Sequence, residues 1–160
     1  MSGRDRLYLQ PAQRHNTEVV HRLDRKKQSY DQPDGSRAVQ TLDYDRLMQA
    51  NLTRVFSERN PERRLVAIAE LYAPDATLNE PETSVTGHAS ISEAVTALLT
   101  SLPAAFTFTA IGPALGHHGI GRLRWQAGPP NGPAAVTGMD IAHFQEGRIH
   151  SLYVFIEPDA

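Results

Sequence analysis

The chain has no cysteine. Disulfides, thiol nucleophiles and thiolate metal sites are therefore excluded, and a reducing, cytoplasmic setting is expected. Lysine is nearly absent, and its two copies, Lys26 and Lys27, both lie before residue 41. The remainder offers no amine for Schiff-base chemistry. No apolar run approaches the roughly 20 residues that span a bilayer, and the N-terminus has no apolar stretch of the secretory type. A net charge of −2 supplies no basic field for nucleic acid. Neither membrane nor nucleic acid is expected as a partner. No GxSxG elbow, phosphate loop or dinucleotide fingerprint occurs, so no cofactor is implied. The histidine pair His117–His118 has no third candidate ligand beside it in the sequence, and no metal is expected.

What charge there is falls unevenly. Residues 1–40 carry 8 Lys/Arg and 5 Asp/Glu, net +3, whereas residues 41–160 carry 8 Arg and 13 Asp/Glu, net −5. The first segment has little hydrophobic periodicity and ends in a turn-rich DQPDGS. It reads as a poorly packed, flexible N-terminal extension, with one domain over 41–160.

Within that domain the hydrophobic period is first helical. Asp43 can cap a helix over 43–58, with Tyr44, Leu47, Met48, Leu52, Val55 and Phe56 on one face. Asn60-Pro61 opens a second helix over 61–72, because asparagine caps and proline suits the first helical position. A third is predicted over 88–102, stopped by Pro103. After Pro103 the period becomes two. Strands are expected near 105–115, 120–127, 134–145 and 148–156, with turns at Gly116–Gly119, Gly128–Pro133 and Gln145–Gly147. Helices followed by consecutive strands imply an α+β fold, with the helices on one face of a curved, mostly antiparallel sheet.

The stretch Tyr72–Ile91, YAPDATLNEPETSVTGHASI, joins the two halves. A turn at Ala73–Asp75 leads into a short strand over 76–80 that ends in a carboxylate and a proline. Pro81 cannot donate to a sheet, so Glu80 stands where a strand gives way to a loop. It is either a working side chain or a solvated strand-end charge. A cis Glu80–Pro81 bond is one way to aim it inward. Asp140 lies between Gly138 and Ala142 on one strand face. If that face is concave, Leu123, Trp125, Leu152 and Val154 enclose the acid and raise its pKa. The alternative is an ion pair with an arginine or a role at a bulge.

Two segments, YAPDATLNEP with VTGHASI and GMDIAHFQEGRI with SLYVFIEP, resemble the superfamily of nuclear transport factor 2, ketosteroid isomerase and the SnoaL-like polyketide cyclases. The resemblance covers residues 41–157. It implies a cone, in which a strongly bent sheet wraps three helices around an apolar cavity. Function is less specific, because one scaffold hosts many chemistries. Glu80 matches the general base of ketosteroid isomerase, a carboxylate immediately before proline, with Glu replacing the usual Asp. Asp140 matches both the oxyanion donor of ketosteroid isomerase and the acid/base of the SnoaL-like cyclases. The isomerase tyrosine of the first helix is replaced by Leu52, which favours the cyclase-like arrangement.

The implied activity is cofactor-independent acid/base catalysis on a small hydrophobic carbonyl compound. Glu80 would be base and Asp140 donor, with Leu52, Leu123, Trp125, Gly138, Leu152, Val154 and Ile156 binding the substrate. The alternative is a non-catalytic ligand-binding or dimerisation module. His88 and His150 could also reach the cavity. Thr137, Met139, Ile141, Tyr153 and Phe155 form an apolar outer strand face, expected to be buried in a homodimer.

Overall fold

A computed structural model describes residues 41–158. The extension predicted over residues 1–40 lies outside the described residues. Among the described residues, three helices precede or interrupt a mixed, curved, unclosed sheet of seven strands.

Helix α1, Tyr44–Asn51, starts as its cap predicts: Asp43 accepts from Arg46 N at 3.0 Å. Instead of running on as an α-helix to residue 58, it widens into a π-helical turn, Leu52–Phe56. The wider turn leaves Leu52, Val55 and Phe56 all buried. Ser57 Oγ donates to the Leu52 carbonyl at 2.9 Å there.

Helix α2 spans Pro61–Leu71, and Asn60 accepts from the amides of Glu62 and Arg63. It is tied to helix α3, His88–Ser101, by the buried guanidinium of Arg64, which donates to Ser92 Oγ, the Ser92 carbonyl and Thr96 Oγ1. Such a group is tolerated inside because its donors are occupied.

The first strand differs from expectation. Strand β1 is Tyr72–Asn79, so Tyr72 leaves the helix and is already extended. The predicted turn at Ala73–Asp75 is instead an outward bulge. Tyr72 pairs with Ile149 and Thr77 with Ser151, so five steps on β1 span two on its neighbour. Strand β2, Ser84–Thr86, was not anticipated; it folds back on β1 as a hairpin.

The expected strand over 105–115 is two pieces, β3 at Thr107–Ala110 and β4 at Leu115–His117, separated by Gly112 at φ 77°. Both pair with β5, Ile120–Gly128. Strands β6, Val136–Gln145, and β7, Arg148–Ile156, complete the sheet. The β6–β7 turn uses positive φ at Glu146 and Gly147, the tight hairpin geometry foreseen at Gln145–Gly147.

Sheet order is β2-β1-β7-β6-β5-β3, with β4 also on β5. Every pairing is antiparallel except β1 with β7, so the end of β1 is laid beside the end of the last strand. A second bulge lies opposite His143/Phe144, where His150 is the extra residue, and adds bend to β7. The concave face carries Leu123, Trp125, Ala142 and Leu152 against Met48, Leu52, Val55 and Ile68 of the helices. Among the described residues no helix is long and apolar enough to cross a membrane.

Candidate functional site

Alternation along β5, β6 and β7 brings Trp125, Asp140 and Val154 to the concave side; Asp140 pairs directly with Val154 on β7 and with Leu123 on β5. At one end of this face is a cavity of about 260 Å³. The helices contribute Leu52, Phe56, Leu98 and Leu102 to its wall, and the strands Phe108, Trp125, Ala127, Val136, Val154 and Ile156. Glu80, Pro81 and Asp140 complete the lining, so among the described residues its two ionisable groups are both carboxyls and none is a cation.

Glu80 follows directly after β1. The turn Glu80–Thr83 is closed by Glu80 N–H donating to the Thr83 carbonyl at 2.8 Å and Thr83 N–H returning a longer bond at 3.3 Å. Thr83 Oγ1 also donates to Glu80 Oε2 at 3.1 Å. One carboxylate oxygen is therefore held while the other carries no such restraint, and the side chain is half-buried at the rim. The Glu80–Pro81 bond is trans, contrary to the expectation of a cis bond; the two-way hydrogen bonding of the turn orients Glu80 without one.

Asp140 lies deeper, 2 % exposed. Among the described residues it has no arginine partner; Trp125 Nε1 donates to its Oδ1 at 2.7 Å. The arginines of β5 point to the other side, and Arg124 is paired with Glu157 at 2.8 Å. Burial raises the Asp140 pKa from 3.8 to about 7; the indole hydrogen bond opposes the shift, and the charge of Glu80 adds to it. Close to physiological pH this acid can therefore hold its proton or release it.

Within electrostatic reach of Asp140 is a buried pair that periodicity did not reveal. Tyr72 and Asn51 are fully buried, and the tyrosine hydroxyl donates to Asn51 Oδ1 at 2.6 Å. Burial, with the Asp140 charge in support, holds the phenol well above its ordinary value, so it stays a neutral donor.

Of the residues expected to bind substrate, Leu52, Trp125, Val154 and Ile156 line the cavity. Leu123, Leu152 and Gly138 do not. Leu123 and Leu152 are sealed in the core, because the helices cover that part of the sheet completely. Gly138 is covered by the Trp125 ring. His88 is turned away from the cavity, donating from Nε2 to the carbonyls of Tyr72 and Ala73 at the start of α3. His150 is the unpaired residue of the β7 bulge, and its ring lies 6.0 Å from that of His143. Neither histidine is among the residues lining the cavity. Phe56, Leu98, Leu102, Phe108, Ala127 and Val136 were assigned only to core or strand from the sequence. Their apolar character signalled burial, but not which of them face an empty space.

The model of the SnoaL-like domain matches residues 52–152. The chain belongs to this family. Solved structures agree on the fold, that of the superfamily of nuclear transport factor 2. A candidate isomerase of the SnoaL-like family from Agrobacterium tumefaciens strain C58 is 24 % identical, with a TM-score of 0.65 over 71 % of this chain and 96 % of that one. A candidate SnoaL-like polyketide cyclase from Jannaschia sp. CCS1 is 9 % identical, with a TM-score of 0.61 over 78 % and 92 %. A candidate ketosteroid isomerase from Kribbella flavida DSM 17836 is 13 % identical, with a TM-score of 0.56 over 73 % and 79 %. No curated protein matches the chain. At these identities the likeness establishes a SnoaL-like fold and leaves the chemistry to the site itself.

Proposed function

We infer that this SnoaL-like domain is a cofactor-independent acid/base enzyme, an isomerase or a cyclase, acting on a small hydrophobic carbonyl compound. One observation carries the reading: two carboxyl groups of unlike depth share an otherwise apolar cavity. Environments that push two such groups apart divide the labour between base and acid. A cavity of about 260 Å³ with no cation among its described lining residues suits a small neutral ligand better than a phosphate or carboxylate.

In this reading Glu80, at the rim, removes a proton from the carbon beside the carbonyl. The C–H electron pair moves into the enolate, and the neutral Asp140 donates a hydrogen bond or its proton to the enolate oxygen. Isomerisation is completed when, in a substrate whose enolate is extended by a neighbouring C=C bond, Glu80 returns the proton to the far carbon of that bond and the double bond shifts. Ring closure is completed when the enolate carbon attacks a second carbonyl of the same substrate, forming the C–C bond, and the new alkoxide takes the proton held by Glu80, which restores the base. Leu52, Phe56, Trp125 and Val154 keep water from the intermediate. The absence of cysteine fits a reducing cytoplasm.

The test needs no knowledge of the natural substrate. A panel of small apolar ketones and enones is incubated with the protein in deuterium oxide, and exchange beside the carbonyl is followed by NMR. Exchange by the wild type that falls roughly 10²–10⁴-fold in Glu80→Gln is expected for a positioned general base. Saturable binding without exchange would leave a ligand-binding module, which needs the same apolar pocket but neither carboxyl.

We further propose that two copies pair through the outer face of β6 and β7. Tyr153 and Phe155 are 45 % and 52 % exposed there, beside the half-buried Met139 and Ile141.

A further inference from the structure

A carboxyl group offers two oxygens, and the reaction above requires the proton of Asp140 to be on the one facing the ligand. Trp125, the single tryptophan of the chain, bears on that choice. It pairs across strands with Gly138, whereas Asp140 pairs with Leu123. To reach Asp140 Oδ1 at 2.7 Å the indole must therefore lie along β6, over the backbone of residue 138. Only glycine leaves room: a Cβ there would be 2.3 Å from Trp125 Cζ2 and 2.7 Å from Cε2. Phe108 closes on the indole at an angle of 64°, with ring centres 5.5 Å apart. The ring is thus held on two sides with its N–H directed at one oxygen.

An indole N–H can only donate. The better acceptor of a neutral carboxylic acid is its carbonyl oxygen, so the bond favours the form in which Oδ1 is the carbonyl and Oδ2 bears hydrogen. We propose that Trp125 is a positioning residue: seated on Gly138, it fixes Oδ2 of Asp140 as the oxygen that carries and delivers the proton. This rests on the reading of Asp140 as the donor. The same bond strengthens when Asp140 is ionised, so it also counters the effect of burial and keeps the acid from becoming too weak to give its proton up.

Two consequences separate positioning from packing. Trp125→Phe keeps an aromatic ring but removes the donor, so the proton is shared between both oxygens and the carboxyl can turn. On any ketone the wild type exchanges, kcat should fall roughly tenfold with KM little changed. The alkaline limb of the pH profile should move upward, because a bond favouring the charged form is gone. Gly138→Ala, which displaces the indole, should act in the same direction and add little to Trp125→Phe.

The decisive experiment uses the lone indole as its own reporter. The Trp125 Nε1–H resonance of the ¹⁵N-labelled full chain is followed from pH 5 to 9 in the wild type and in Asp140→Asn. The wild-type resonance should titrate with a midpoint near 7 and the variant's should be flat. A wild-type resonance as flat as the variant's overturns the proposal, as does a Trp125→Phe enzyme with wild-type kcat and pH profile. Because the titration needs no turnover, it is decided independently of the exchange assay on Glu80→Gln. Loss of exchange chemistry and loss of indole coupling are therefore separate results.

Discussion

Replacing Asp140 by asparagine should make the protein more stable at alkaline pH while depriving it of its acid. The carboxyl is 2 % exposed, and burial lifts its pKa from 3.8 to about 7. On unfolding it returns to its ordinary value, so between these two values the native state binds more proton than the unfolded state. Stability from this group is therefore fully present below the unfolded pKa and is lost as pH rises through the folded one. A gap of about 3 pH units corresponds to on the order of 4 kcal/mol, of which roughly 2–3 kcal/mol disappears between pH 5 and pH 8. Asparagine carries no charge, has nearly the same shape, and can still accept from Trp125 through Oδ1. Urea unfolding of both proteins at pH 5, 6, 7 and 8 gives the difference directly, and the subtraction removes the titration of groups common to both. The advantage of the variant should grow with pH by roughly 1–3 kcal/mol over that range. A difference that stays constant would mean the carboxyl is not held near neutrality by burial, and its role as a proton donor would fall with it.

Tyr72→Phe removes the donor to Asn51 Oδ1 in a fully buried setting. It should cost about 1–3 kcal/mol, the penalty of an acceptor left without its partner, read as a lower urea midpoint. A variant as stable as the wild type would show that the pair is not a structural bond. Phe155→Glu places a charge on the outer sheet face, and sedimentation should find a dimer for the wild type and a monomer for the variant. A wild-type monomer at micromolar concentration disposes of the pairing.

The fold was legible where local chemistry acts alone. Asp43 and Asn60-Pro61 set the first two helix starts, and the change of period after Pro103 marked where the run of strands β3 to β7 begins. Partnership across the sheet was not legible. The bulge between Tyr72 and Thr77 and the parallel pairing of β1 with β7 arise from how distant segments meet. Likewise the strand over 105–115 breaks at Gly112, because both pieces must follow a bending β5.

For the site, alternation correctly set Asp140, Trp125 and Val154 on the concave face, and Pro81 marked Glu80 as the end of β1. Alternation cannot distinguish a core residue from a cavity residue on the same face. That is why Leu123 and Leu152, equally apolar and facing the same way, are packed by helices, while Val136 and Val154 look into space. The Trp125–Asp140 bond spans 15 residues of sequence and depends on the β5–β6 register, which no local pattern encodes.

The shared role of the two carboxyls is tested most directly by a double-mutant cycle on carbonyl-adjacent exchange, comparing wild type, Glu80→Gln, Asp140→Asn and the double variant. Groups that act on one transition state do not contribute independently. Once Glu80 is gone, removing the proton of Asp140 should cost little more, and the double variant should be about as slow as Glu80→Gln alone. If the two losses instead multiply, or if exchange survives both substitutions unchanged, Glu80 and Asp140 do not work on the same bound molecule.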